Sequence, residues 1–407
     1  MGKALLTGSF QLMKSINRSV ILNIIREQGP ISRAEIAKVT KLTPPTVSNL
    51  VKELLQADII VERSLGESSG GRKPTMLTLN SSVFHVIGLD IGSHHLTTIL
   101  ADISGKLLKK ETTPIPAKVT NEGLLDIMAE AILSIKKSRK IDENKIVGIG
   151  VAMHGIVDVE EGVSIFAPNL NLKDVPVKEF LENRFNMLVK VENDARAMSL
   201  GEQWFGNGTG VDSLVCINVG RGVGAGIIIN GKLFHGQNSI SGEIGHMVID
   251  VNGPKCTCGN FGCLQTFSSG PAIVELVARE LRLGLESNLH DKINGDFSKL
   301  SGEMIYEAAL KGDLLSQNIL SQAGRYLGIG LTNLIHIVNP KRIIIGGGVS
   351  NAREYILVNV KHTIAQRALT ESAKETEILV SKFGEDASVM GAVALILAEL
   401  FAARGNE

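Results

Sequence analysis

Three cysteines and one histidine carry the clearest chemical signal in this chain of 407 residues. Cys256, Cys258 and Cys263 follow His246 by 10, 12 and 17 positions, and glycines within the run allow the chain to wrap. Thiolates and an imidazole are ligands that Zn²⁺ prefers, and four of them complete a tetrahedral site. The spacing therefore predicts a structural zinc site with no open position, and the alternative is a group of free thiols.

Two further segments carry polar side chains at a helix start or a turn. Asn193 and Asp194 precede a predicted helix that runs to Trp204, and either residue can serve as its cap. Glu243 and His246 lie on a glycine-rich turn, and a carboxylate with an imidazole at that spacing can bracket vicinal hydroxyls. A surface turn without a ligand is the alternative for this second segment.

Two glycine-rich turns, at residues 90–92 and 220–226, could hold phosphate groups, and a third, at residues 346–348, could simply pack a helix against a strand. Glycine lets backbone amides approach an anion closely. Ser93, His94 and Arg221 lie in or beside the first two turns, where their side chains would hinder this approach. They therefore argue against tight nucleotide binding. Ordinary β-turns that bind nothing are the alternative.

The segments around these turns form an internal repeat. Residues 84–110 and 214–234 each contain an apolar strand, a polar glycine turn, a second strand and a glycine that opens a third strand. Helical patterns follow near residues 122–137 and 271–281. The repeat predicts two lobes of one mixed α/β fold.

The first 80 residues differ from the rest in charge and in pattern. They contain 11 Lys and Arg against 6 Asp and Glu, whereas the remaining residues contain 31 against 36. Apolar periodicity predicts helices over residues 18–28, over residues 34–40 and from Pro44 onward, with Ser32 and Thr43 as caps. Two short strands, at residues 59–63 and 75–79, complete a winged helix-turn-helix.

The first and third head helices each have an apolar face that predicts the core, and the third also has a polar face that could reach DNA. The predicted core residues are Val20, Ile21, Ile24 and Ile25 in the first helix, and Val47, Leu50, Val51, Leu54 and Leu55 in the third. Polar side chains opposite them could bond to base edges in the major groove, while basic residues of the wing reach phosphates. The predicted DNA contacts are Arg33, Thr43, Pro44, Thr46, Ser48, Asn49, Lys52, Arg72 and Lys73. An interaction module that binds no DNA is the alternative.

Composition excludes several other classes of protein. The chain is 44% hydrophobic and 21% charged, which excludes disordered and collagen-like chains. Its longest apolar stretches fall short of the roughly 18 residues that a membrane-spanning helix needs. Four cysteines are too few for a disulfide framework. We therefore expect a globular cytoplasmic protein with no membrane association.

Together these motifs resemble the ROK family of repressors and sugar kinases. Residues 30–37, 42–51 and 70–74 are similar to the DNA-binding head of its repressors, and residues 219–246 are similar to the family signature. The resemblance implies a winged helix-turn-helix over residues 1–80. Over residues 81–407 it implies a duplicated two-lobe domain of the actin-like ATPase (ribonuclease H-like) fold. The spacing of the zinc ligands also occurs in the family.

The resemblance also implies roles for individual residues of the body. Asp194 matches the general base of the family's kinases, and Gln265 stands where the family usually has Glu. The implied sugar-binding residues are Asn169, Asn193, Asp194, Glu243, His246 and Gln265. A degenerate nucleotide site is implied at Asp90, Gly92, Gly222, Gly224, Gly347 and Gly348.

The expected function is a sugar-responsive, non-enzymatic repressor of carbohydrate-utilisation genes, most similar to the xylose-type members of the family. It would bind double-stranded operator DNA as a homodimer or higher homo-oligomer and bind xylose or glucose in the body. The alternative is an ATP-dependent sugar kinase with an accessory head, in which Asp194 is the catalytic base. A regulator that responds to a protein partner is a third possibility.

Overall fold

A computed structural model describes residues 16–65, 74–137 and 142–402 of the chain. Its amino-terminal elements are α1 Ile16–Gln28, β1 Ile31–Ser32, α2 Arg33–Thr40, α3 Pro44–Gln56, β2 Ile60–Leu65 and β3 Thr75–Leu79. The three strands form an antiparallel sheet in the order β1-β3-β2. This arrangement confirms the winged helix-turn-helix, to which β1 adds a strand that the sequence pattern did not predict.

Side-chain caps determine where α2 and α3 begin. Ser32 Oγ accepts a hydrogen bond from the Glu35 amide at 3.3 Å, and the Glu35 carboxylate accepts one from the Ser32 amide at 2.9 Å. This reciprocal capping box lowers the pKa of Glu35, chiefly through the bond from the Ser32 backbone. Thr43 Oγ1 accepts a hydrogen bond from the Thr46 amide at 3.4 Å, ahead of α3. The two predicted caps are therefore confirmed.

The core of the head follows the predicted apolar faces with one exception. Val47, Val51 and Leu54 of α3 are buried, while Leu50 and Leu55 are half-buried at its edge. In α1 the buried residues include Ile21, Leu22 and Ile25. Val20 is 37% exposed, so its assignment to the core was wrong. Leu22, which the pattern did not assign to the core, is fully buried.

The first half of the body is built around a five-stranded sheet. Its elements are β4 His85–Ile91, β5 His95–Asp102, β6 Leu107–Pro114, α4 Asn121–Lys137, β7 Ile146–Met153, β8 Ile156–Asp158, β9 Val163–Ala167, β10 Leu172–Val175, α5 Val177–Phe185, β11 Val189–Asn193 and α6 Asp194–Phe205. The large sheet has the order β11-β7-β4-β5-β6, and β8, β9 and β10 form a separate antiparallel sheet. Strands β4, β7 and β11 are parallel, so their carboxyl ends share one edge.

The second half repeats this topology. Its elements are β12 Leu214–Val219, β13 Val223–Ile229, β14 Lys232–Leu233, α7 Gln265–Ser268, α8 Gly270–Arg282, α9 Leu289–Ile293, α10 Gly302–Leu310, α11 Leu314–Val338, β15 Arg342–Gly346, α12 Arg353–Arg367, α13 Glu371–Lys374, β16 Glu377–Val380 and α14 Ala387–Phe401. The sheet order is β14-β13-β12-β15-β16. In each sheet the first strand in chain order is antiparallel to the second and parallel to the fourth: β4 pairs with β5 and β7, and β12 pairs with β13 and β15. The duplicated α/β design predicted from the sequence is thus confirmed.

The chain divides into two compact units. One comprises the residues up to Gly201 together with those from Ser388 onward, and the other is Glu202–Ala387. In the first unit, α4 and α5 cover the sheet over an aliphatic core. In the second, helices α8, α10, α11 and α12 do so. The boundary between head and body, predicted near residue 80, stays a prediction.

None of the helices in the described segments is both long and apolar enough to cross a membrane.

Helix α14 lies very close to the sheet of the first unit. A Cβ added to Gly150 of β7 would lie 1.8 Å from the Ala392 carbonyl oxygen, and one added to Gly88 of β4 would lie 2.8 Å from that of Val389. Any side chain at these positions would overlap backbone atoms that cannot rotate away. Glycine at both strand positions therefore permits the packing of α14.

The carboxyl end of α14 is bonded to the first head helix. The last carbonyls of a helix lack partners within it. Asn23 Nδ2 donates to the Phe401 carbonyl at 3.1 Å, and Ser19 Oγ donates to the Ala402 carbonyl at 3.1 Å. One helix thus contacts both the strands of the first sheet and the head.

We expect Gly150→Ala to lower the free energy of unfolding by about 1–3 kcal/mol, because the added methyl group displaces the α14 backbone. Urea denaturation followed by circular dichroism measures the change. Gly302→Ala is the control, since a Cβ there meets no atom within 4 Å. Equal stability of both variants would contradict the close approach.

Candidate functional site

The exposed side of α3 carries three of the predicted DNA contacts. Ser48, Asn49 and Lys52 are exposed, while Val47 and Val51 on the opposite side are fully buried. Hydroxyl, amide and ammonium groups at these positions can bond to base edges and phosphates. We call the surface formed by Ser48, Asn49 and Lys52 the reading face.

The other predicted contacts on α3 form the start of the helix. Thr43 Oγ1 and Thr46 Oγ1 share a hydrogen bond of 2.8 Å, and Thr43 also caps the helix. Pro44 is exposed at the first helical position. Because the two hydroxyls already bond to each other, their first role is to hold the end of α3 that precedes the reading face.

The predicted basic contacts have different positions. Arg33 of α2 pairs with Glu62 of β2 at 2.6 Å, and both side chains are partly exposed. A phosphate bound by Arg33 would have to share the guanidinium with Glu62. Arg72 and Lys73 of the wing lie outside the residues that the structure describes.

The four predicted metal ligands converge in the second unit. The ligand atoms of His246, Cys256, Cys258 and Cys263 all lie within 4.8 Å of one another. Cys258 Sγ is 3.8 Å from Cys263 Sγ, and Cys256 Sγ is 3.7 Å from His246 Nδ1. Two thiolates bonded to one Zn²⁺ at about 2.3 Å in a tetrahedron are about 3.8 Å apart. The cluster could therefore hold a metal ion, with His246 bound through Nδ1.

A tight crossing of the chain brings Cys263 to this cluster. Gly262 has φ 69°, and a Cβ there would lie 1.5 Å from the Asp250 carbonyl oxygen. Its amide donates to the Pro254 carbonyl at 2.8 Å, and its carbonyl accepts from the Ile249 amide at 2.9 Å. Only glycine fits this crossing, so its place directly before Cys263 is part of the cluster's geometry.

The pKa values of the cysteines diverge across the cluster. Burial raises the pKa of Cys256, but hydrogen bonds from the Cys258 backbone and from neighbouring side chains outweigh burial and lower it to about 6. Burial and the adjacent thiols raise the pKa of Cys263 to about 12. A bound cation favours the thiolate form of every cysteine that coordinates it.

Gln265 contacts this cluster, a role that the sequence analysis missed. Its Nε2 donates to Cys256 Sγ at 3.2 Å. A hydrogen bond to a coordinating sulfur orients the sulfur and tunes its affinity for the metal. Only the short separation from Cys263 in the sequence could have suggested this role. At least one of the two N–H donors of the Gln265 amide therefore serves the cluster.

The turn that carries Glu243 and His246 is held against β13. Residues Ile244–His246 form a 3₁₀ turn. A Cβ at Gly245 would lie 2.2 Å from the Val223 carbonyl oxygen, so the turn approaches the strand backbone directly. Glu243 is exposed, and His246 presents Nδ1 to the cysteine cluster. Two predicted sugar contacts thus lie on one closely packed turn.

In the first unit, Asn193 links β11 to its neighbours. Its Oδ1 accepts from the Ala195 and Arg196 amides at 3.0 and 3.2 Å, and its Nδ2 donates to the Gly155 carbonyl at 3.0 Å. The helix-cap interpretation is confirmed for Asn193. Its contact with sugar stays a prediction, as does that of Asp194.

A buried ion pair joins the end of β11 to the first turn of α6. Arg196 Nε lies 2.7 Å from Glu192 Oε1, and the two side chains are 2% and 1% exposed. The same Glu192 oxygen accepts the Asn193 amide at 2.8 Å. Removing either charge would leave the other buried without compensation. The ion pair therefore constrains the backbone that carries Asn193 and Asp194.

The six predicted sugar contacts fall into two groups, one in each unit. Asn169, Asn193 and Asp194 belong to the first unit, and Glu243, His246 and Gln265 belong to the second. Asn169 is exposed in the turn that follows β9.

The predicted phosphate turns use some of their own amides. The Gly92 amide donates to the His95 carbonyl at 3.0 Å, and the Gly220 amide donates to the Gly222 carbonyl at 3.0 Å. Asp90, the residue before the last of β4, is half-buried, and Gly224 pairs with Asn218 inside the second sheet. An amide bonded within its turn is not offered to an anion, which agrees with a degenerate nucleotide site.

The third turn depends on glycine for a packing reason. Gly347 has φ 81°, and a Cβ there would lie 2.5 Å from the Val219 carbonyl oxygen. A Cβ at the adjacent Gly348 meets no atom within 4 Å. Gly347 is therefore required for the close approach to β12, whereas position 348 has room for a side chain.

Two family models match the chain. The model described as "ROK family" matches residues 86–399, and that described as "Winged helix-turn-helix DNA-binding" matches residues 15–61.

Named relatives match over nearly the full length. The chain is 34% identical to a putative xylose repressor of Caldicellulosiruptor sp. (strain Rt8B.4), over 97% of this chain and 98% of that protein. It is 32% identical to the DNA-binding transcriptional dual regulator NagC of Escherichia coli (strain K12), over 96% and 94%. A crystal structure of a ROK family transcriptional regulator, homolog of the E. coli MLC protein, matches with a TM-score of 0.84 and 30% identity over 96% and 97%. With a winged head, a duplicated body and these matches, the chain belongs to the ROK family.

Proposed function

We propose that this protein is a sugar-responsive transcriptional repressor of carbohydrate-utilisation genes. The observation that carries the proposal is a winged helix-turn-helix, with its reading face exposed, joined to a ROK body in a single chain. The head binds operator DNA, and a small sugar bound by the body changes that binding. We propose a cytoplasmic location, because a protein that binds operator DNA must reach the chromosome.

The reading face makes the base contacts. Asn49 is its central residue, because an amide both donates and accepts hydrogen bonds and can pair in a bidentate manner with adenine. Ser48 and Lys52 flank it, and Thr43, Pro44 and Thr46 hold the helix end. Arg33, Arg72 and Lys73 contribute phosphate contacts.

The effector is a small sugar, with xylose as the first candidate and glucose as the second. Support for xylose comes from the similar protein of Caldicellulosiruptor, which is named as a putative xylose repressor. The contacts proposed for the sugar are Asn169, Asn193, Asp194, Glu243, His246 and Gln265. In the second unit, His246 contacts sugar through Nε2, since its Nδ1 faces the cysteines.

The body regulates and does not catalyse. The relatives named as repressors and the similar regulator structure support this conclusion. A kinase needs backbone amides aimed at phosphate, whereas the amides of Gly92 and Gly220 are used within their turns.

The metal of the cysteine cluster is structural zinc. Three thiolates and one imidazole fill all four positions of a tetrahedral site and leave none for substrate. Bound there, zinc would hold the Cys256–Cys263 loop against the turn that carries Glu243 and His246.

The active form is a homodimer or higher homo-oligomer whose two heads read the two halves of an operator. Sugar binding alters the spacing of the heads and therefore the affinity for DNA. By linkage, whatever factor sugar imposes on DNA affinity, DNA imposes on sugar affinity.

Asn49→Ala is expected to weaken operator binding by about 1–3 kcal/mol, roughly 5- to 150-fold, because a bidentate base contact is lost. Fluorescence anisotropy with a duplex selected from a randomised library measures the change. Gln56→Ala is the matched control, since Gln56 is exposed at the other end of the same helix. Equal effects of the two changes would argue against the reading face.

Cys258→Ser is expected to abolish stoichiometric zinc and to remove the response to sugar, because a structural zinc site needs all four ligands. Mass spectrometry of metals in the purified protein measures the first effect, and the operator assay with sugar measures the second. Cys216→Ala, which changes a buried cysteine of β12 outside the cluster, keeps the metal. Purified wild-type protein without zinc would refute the proposal for the metal.

One sugar among D-xylose, D-glucose and N-acetyl-D-glucosamine is expected to change the operator affinity of the full chain by about 5- to 150-fold. Calorimetry of the same sugar with and without operator should give the reciprocal factor. The repressor proposal fails if no sugar changes DNA binding while the chain releases ADP from MgATP with hexoses or pentoses. Asp194→Asn, which removes the candidate base, is the control for that turnover.

A further inference from the structure

His154 is a buried histidine that the proposed contacts do not include. It follows β7 directly and is 8% exposed. Its Nδ1 lies 3.1 Å from the carbonyl oxygen of Ile91, the last residue of β4. Its Nε2 is buried and has no hydrogen-bond partner among the residues that the structure describes.

The contact with Ile91 determines which ring nitrogen of a neutral imidazole carries the proton. A carbonyl oxygen only accepts hydrogen bonds, so Nδ1 must carry the proton. In the neutral ring Nε2 then carries a lone pair and can only accept. Buried polar atoms in folded proteins nearly always have a partner, so an unpaired acceptor indicates that a donor is missing.

The position of His154 in the sheet indicates what supplies that donor. Its ring lies at the carboxyl edge of the parallel strands β4, β7 and β11, the edge at which open α/β sheets bind their ligands. The adjacent Gly155 carbonyl accepts from Asn193 Nδ2 at 3.0 Å. His154 is thereby connected through one residue to Asn193, which precedes Asp194.

We propose that His154 Nε2 accepts a hydrogen bond from a hydroxyl group of the sugar effector. The inference rests on the proposed function and adds a contact to it. It also restricts the ligand at this point, because an acceptor selects a neutral hydroxyl over a carboxylate or phosphate oxygen that has no proton to donate. Since Nε2 is shielded from water, the entry of that hydroxyl requires nearby side chains to move.

The test measures sugar binding to the full-length protein by calorimetry, with D-xylose, D-glucose and N-acetyl-D-glucosamine as probes. His154→Asn keeps an amide near the position of Nδ1 and removes Nε2. It should weaken binding of the effector by about tenfold or more, because the hydroxyl loses its acceptor. His154→Gln places an amide near the position of Nε2 and should retain more of the affinity. His362→Asn, on the exposed side of α12, is the control and should bind as the wild type does.

Monodeoxy analogues of the effector identify the hydroxyl. The analogue that lacks the paired group should bind the wild type weakly and should lose no further affinity in His154→Asn, while the other analogues should still lose it. This non-additivity separates a direct contact from a general loss of stability. Melting temperatures establish that the variants are folded, and His154→Gln decides the matter if His154→Asn is unstable.

The outcomes distinguish this contact from the proposed function. If a sugar binds the wild type and both His154 variants equally, the contact is refuted and Nε2 bonds only to water. If His154→Asn weakens all the monodeoxy analogues by the same factor, His154 acts through the fold and not on a hydroxyl. If no probe binds the wild type, the proposed effector fails together with the contact.

Discussion

The close approach of helix α14 to the first sheet is the constraint that connects the functional parts of this molecule. Gly88 and Gly150 let the α14 backbone contact β4 and β7, and the carbonyls at its carboxyl end are bonded to Asn23 and Ser19 of the head. The same two strands end beside the Ile91 carbonyl and His154. One helix is therefore packed against the two strands that end beside His154 and is also hydrogen-bonded to the first helix of the head.

The second unit depends on a different device. The loop that carries Cys256, Cys258 and Cys263 folds back on itself at Gly262, and the turn that carries Glu243 lies against β13 through Gly245. His246 belongs to both the turn and the cluster. The turn and the loop are thus held by backbone contacts, and a metal ion bound by the four residues would make its own binding and the shape of the turn interdependent.

Much of the site could be predicted because its residues are close in sequence. The four candidate metal ligands lie within 18 consecutive residues, and the caps at Ser32 and Thr43 are properties of single turns. Contacts between distant residues could not be predicted. The bond from Gln265 to Cys256 depends on how the loop folds back, and the pairing of Arg33 with Glu62 joins residues that are 29 positions apart. Val20 was misplaced because helical periodicity defines a stripe but not which neighbour covers it.

Periodicity, short-range spacing and motifs in the sequence were enough to predict the winged head, the repeated α/β body, the candidate metal ligands and the family. Only the folded chain shows that Asn193 also donates to the Gly155 carbonyl, that the His154 ring contacts the Ile91 carbonyl, and that His154 Nε2 is buried without a partner in the described chain. These contacts join residues 38 and 63 positions apart, and a local pattern carries no information about which distant atoms come within about 3 Å of a polar group.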